Sequence, residues 1–110
     1  MRIDVANYQR TVGDELRRAR KQHGWTRKEL QERLNNEVSW QTLATYELGT
    51  RQCSVARFAE LCAALDEQPY ALLERVHQRL YPKDVPPDAV RITLGTIIDD
   101  DQPELLPLRR

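Results

Sequence analysis

The sequence predicts an all-α fold of five short helices, followed by an extended tail that contains one β-strand. Three observations lead there. Apolar residues recur three and four positions apart from Tyr8 to Leu80, the spacing of one helix face. Capping and stop residues bracket the successive runs. Then "YPKDVPPD" places Pro82, Pro86 and Pro87 within six residues, which forbids further helix.

The first helix begins between Val5 and Val12 and runs to His23. Tyr8, Val12, Leu16 and Ala19 form its apolar stripe, and Gly24 suits a left-handed stop beyond it. The second opens on "TRKE", a capping box in which Thr26 caps and Glu29 reaches back, and it continues to Leu34. The asparagines of "NNEV" tolerate the backbone of a turn. Ser39 caps the third helix, Trp40 to about Leu48, and Gly49 ends it. Ser54 caps the fourth, which carries Phe58, Leu61, Cys62 and Leu65 on one face. Pro69 stands at the start of the fifth, where a missing N–H costs nothing; Leu73, Val76 and Leu80 carry that helix to about Tyr81.

Residues 1–81 are thus expected to form one helical domain. Residues 82–110 follow as a Pro-rich linker, a strand over 90–98 and a flexible acidic tail. In "VRITLGTI", Val90, Ile92 and Leu94 alternate with Arg91 and Thr93. One strand cannot satisfy its own backbone groups, so it needs the same strand of a second chain or an edge of another protein. Otherwise it is a tail that pairs with nothing.

Composition narrows the function. The 110 residues are 40% hydrophobic and 31% charged, as in a soluble single domain. No stretch approaches the roughly 18 apolar residues of a membrane span. "MRIDVANYQR" lacks the apolar centre of a secretory signal, so the cytoplasm is the expected location. Cys53 and Cys62 fit no usual zinc spacing, with His23 and His77 far off in sequence, so neither metal nor cofactor is expected. Cys62 shares a face with core leucines and reads as a buried thiol, while Cys53, in a polar loop, reads as exposed and inert. No catalytic constellation is present, and an enzyme is the least favoured class.

The formal net charge is zero, but its distribution is uneven. From Arg10 to Arg57 there are ten basic residues against six acids; from Pro82 to Arg110 there are four against six. Such a division leaves room for a basic face on a neutral protein. The third helix has a second peculiarity. Leu43 and Tyr46 lie three apart, while Gln41, Thr42 and Thr45 make a polar, uncharged face where a solvated helix would carry Lys and Glu.

Two short helices joined by a turn, within a bundle of five, resemble the Xre-type, phage-repressor-like helix-turn-helix proteins. The likeness runs from about Val12 to Leu80 and rests on "LRRARKQHGWTRKEL", "VSWQTLATYELGTR" and "SVARFAELCAAL". It implies a transcriptional regulator that binds double-stranded DNA, most often as a homodimer on a two-fold-symmetric operator. By this resemblance Trp40, Gln41, Thr42 and Thr45 face base edges. Gln41 has the chemistry to pair with adenine, and the threonines offer a hydroxyl or a methyl for thymine. Arg27, Lys28 and Arg51 match phosphate-contacting positions. Arg20 and Glu47 match a structural ion pair.

The chain also departs from the family pattern. Leu30 to Ser39 spans nine positions, two more than is common; Gln31 replaces a small residue, and Cys53 stands where many relatives have proline. The chief expectation is a dimeric repressor on a palindromic operator, nucleoid-associated when bound to DNA. The alternative is an antitoxin or adaptor of the same fold, whose residues 88–110 bind a protein partner.

Overall fold

The computed structural model describes residues 2–82. The expected strand over 90–98, with Val90, Ile92 and Leu94, and the acidic tail lie outside the described residues. Within them the chain forms α1 (Val5–Gln22), α2 (Arg27–Arg33), α3 (Trp40–Leu48), α4 (Val55–Ala64) and α5 (Pro69–Leu80). No strand occurs among these residues, and no helix is long and apolar enough to cross a membrane.

Each helix starts and stops where local chemistry directs. Asp4 settles the start of α1, which the apolar pattern left open, because its carboxylate accepts the Asn7 N–H. Thr26, Ser39 and Ser54 cap α2, α3 and α4, and the Thr26–Glu29 capping box is closed in both directions. The first four helices end alike. A left-handed residue, successively Gly24, Asn35, Gly49 and Asp66, turns the chain back on the last carbonyls. After α1, Gly24 N–H donates to the Lys21 carbonyl at 2.9 Å and Trp25 N–H to that of Arg20 at 3.3 Å. The same pair of bonds recurs after α2, α3 and α4, satisfying carbonyls that a helix end otherwise leaves without partners.

The core draws on all five helices. Leu16, Ala19, Leu30, Leu34, Val38, Leu43, Phe58, Leu61, Cys62 and Leu65 are its buried members before α5. In α5 the buried pair is Leu72 and Val76, whereas Leu73 and Leu80 pack at the rim. The expected stripe Leu73–Val76–Leu80 therefore needs correction. Leu72 and Val76, four apart, face the centre of the bundle, and the other two lie to one side of that line.

Two features of α1 fix its neighbours, one against α3 and one against α5. Gly13 lies inside α1 where that helix crosses the end of α3: a Cβ there would fall 2.5 Å from the Glu47 carbonyl oxygen. Only a residue without a side chain permits this approach. Further along α1, the Glu15 carboxylate, buried, accepts from Arg75 at 3.0 Å and from Arg79 at 2.9 Å, joining α1 to α5. Arg75 also reaches Glu67 at 2.9 Å and Arg79 reaches Asp14 at 3.0 Å. Hydrogen bonds to Glu67 and then Glu15 hold the Arg75 guanidinium above its usual pKa.

Candidate nucleic-acid interface

The start of α3 is built to be rigid. Four N–H groups at the start of any helix lack partners inside it. Here the Ser39 hydroxyl accepts from Thr42 N–H at 3.2 Å. A second of these donors, Trp40 N–H, is taken by the Gln31 side-chain carbonyl at 2.8 Å. The other end of the same amide donates to Asn36 Oδ1 at 3.3 Å. Gln31 thus ties α2 to the long turn and to the first residue of α3. Its place as a departure from the family pattern hid this role, since nothing local links positions nine apart.

The end of α3 is fixed as firmly. Glu47 is buried and receives Arg20 in bidentate fashion, Nε at 2.7 Å and Nη2 at 2.9 Å. Arg27 Nε adds a third bond at 3.1 Å, and Arg20 Nη1 donates to the Trp25 carbonyl at 2.8 Å. One carboxylate therefore joins α1, α2 and α3. Arg27, matched by resemblance to a phosphate position, has one nitrogen engaged inside the protein.

Between these two ends, the four side chains of interest differ in setting. Trp40 and Gln41 are exposed, Trp40 by 38%; Thr42 and Thr45 are half-buried. Thr42 Oγ1 accepts from Ser39 Oγ at 3.0 Å, and Thr45 Oγ1 donates to the Thr42 carbonyl at 2.6 Å. Gln41 makes no side-chain hydrogen bond among the described residues. Trp40 forms one wall of a cleft of about 580 Å³, with Arg17, Arg20 and Lys21 from α1 and Thr26, Arg27 and Lys28 from the start of α2. Arg51 is exposed in the loop after α3 and borders a separate, more apolar groove.

The helix-turn-helix family model matches residues 16–72, from α1 to α5. The chain belongs to the Xre/phage-repressor-like helix-turn-helix family. No curated protein matches it. Helix-turn-helix proteins of this family are DNA-binding regulators rather than enzymes. In this one, α2 and α3 are the two helices of the motif, and Asn35–Ser39 is the turn between them. Asn35 and Asn36, in that turn, both adopt left-handed backbone, φ 57° and 60°.

Of three further side chains singled out in the sequence, one departs from its reading and two do not. Cys53, expected in the open, is half-buried against the core, and burial raises its thiol pKa. Cys62 is fully buried, and its thiol is pushed up to about 11 by burial and then by Glu67. His23 has a structural job: its Nε2 lies 2.7 Å from the Leu65 carbonyl, and its ring stacks on Trp25 with centroids 4.1 Å apart. The Arg33 guanidinium covers the Trp25 ring at 3.8 Å, completing a three-layer stack beside the motif.

Proposed function

We propose that this helix-turn-helix protein is a dimeric, sequence-specific repressor that reads a palindromic operator with α3. Trp40, Gln41, Thr42 and Thr45 approach base edges in the major groove, and Arg27, Lys28 and Arg51 hold phosphates. Either α5 or the strand expected around Val90, Ile92 and Leu94 joins two copies. One observation carries the reading: exposed Trp40 and Gln41 open a helix clamped at both ends, next to a cleft lined by cations. Rigid placement of a few polar side chains beside a phosphate-attracting surface is what base readout needs.

Selection of the full chain against random DNA duplexes at near-physiological salt tests this. A palindromic motif, with half-sites about one helical turn apart, is the expected result. Enrichment of a single half-site removes the dimer, and no enrichment by folded protein removes the operator. Gln41→Ala should relax preference at one base position and cost about 1–3 kcal/mol on the best site. An unchanged motif would mean that Gln41 does not reach a base.

A further inference from the structure

The cleft beside Trp40 contains more positive charge than the helix-turn-helix itself supplies, and the excess comes from α1. Five of its lining residues are cations and none is an acid. Arg20 and Arg27 are bound to Glu47. Arg17, Lys21 and Lys28 have no carboxylate within salt-bridge distance among the described residues. Their neighbour Arg18 differs, for it is paired with Asp14 at 2.9 Å. Arg17 and Lys21 also border a second concavity on α1, with Arg18 and Gln22, so the cationic surface continues away from α3.

Arg17 and Lys21 stand one helical turn apart on the same side of α1. Like charges at that spacing destabilise a helix, so helix stability gives no reason for the pair. Lys21 can complement the partial negative charge at the end of α1; Arg17, a full turn earlier, lies beyond the reach of that effect. A polyanion laid along the cleft removes the repulsion. Trp40 borders the same cleft and precedes Gln41, so an anion there is contiguous with whatever α3 reads.

We propose that Arg17 and Lys21 form a second DNA-backbone grip on α1, holding phosphates that flank the base pairs read by α3. This rests on the DNA-binding reading above and extends it to a helix outside the motif. The two residues add affinity without sequence preference and lengthen the protected footprint on one side of each half-site.

The test uses the full chain and a fluorescent random-sequence 30-base-pair duplex, with anisotropy titrations over a range of KCl concentrations. Replacing both residues (Arg17→Ala with Lys21→Ala) should weaken binding to all duplexes alike. It should also reduce the slope of log K against log salt by about 1.8, at 0.9 per phosphate contact. Alanine is the best helix former and the change removes a like-charge pair, so the variant should melt no lower than the parent. Arg18→Ala, which removes a paired charge, should leave the slope unchanged. An unaltered slope in the double variant, with parent protein binding normally, overturns the grip and leaves the DNA-binding reading standing. A changed sequence motif overturns it too, by making these residues base readers. Failure of the parent to bind any duplex overturns both.

Discussion

Two buried glutamates each hold two arginines, yet they sit in different surroundings. Glu47 and Glu15 are 6% and 5% exposed, so the carboxylates themselves are equivalent. Their partners are not. Around Glu47, the Arg20 side chain is only 8% exposed and has nowhere to go. Around Glu15, Arg75 and Arg79 remain 41% and 38% exposed and keep second partners in Glu67 and Asp14. The consequence of losing a buried acid depends on whether its arginine can return to water. The Glu47 corner is therefore a fixed joint of α1, α2 and α3, and the Glu15 corner a tether between α1 and α5.

The largest effect should come from breaking the joint. Glu47→Ala leaves Arg20 charged and buried, and should cost about 3–5 kcal/mol in urea denaturation, as should Arg20→Ala. A loss no greater than that of the Glu15 variant would break the comparison. Gly13→Ala sharpens it from the side of the backbone. The new Cβ would press on the Glu47 carbonyl, so a loss of about 1–3 kcal/mol is expected despite alanine's better helix propensity. A neutral or stabilising result would mean that α1 and α3 do not approach this closely. Glu15→Ala should be mildest, about 1–2 kcal/mol, because Arg75 and Arg79 re-solvate and keep their other bonds. A loss equal to that for Glu47→Ala would show that the tether is as closed to water as the joint.

The same distinction governs how α3 is aimed. Its start depends on Ser39, three residues from the N–H it caps, and on Gln31, nine residues from the one it holds. The first relation is a property of any helix start. The second exists only because α2 and the lengthened turn bring one amide against both Asn36 and Trp40. Gln31 therefore braces the start of α3 across the turn, a contact that no local spacing announces.

The sequence by itself determined the five helices and most of their ends, the start of α1 at Asp4 excepted. The caps Thr26, Ser39 and Ser54, the left-handed stops Gly24 and Gly49, and the proline at the head of α5 all act within four residues, so spacing alone reveals them. The polar face of α3 was legible for the same reason. The Arg20–Glu47 pair, 27 residues apart, was readable only through the family resemblance. Tertiary structure decided the rest: that Leu72 rather than Leu73 enters the core, that Gly13 admits the end of α3, that Glu15 meets α5, that Gln31 braces Trp40, and that Arg17 and Lys21 share a cleft with the first residue of α3. Each of these depends on the angle and depth at which two helices cross. Those are set by the packing of the whole core, which leaves no short-range mark on the chain.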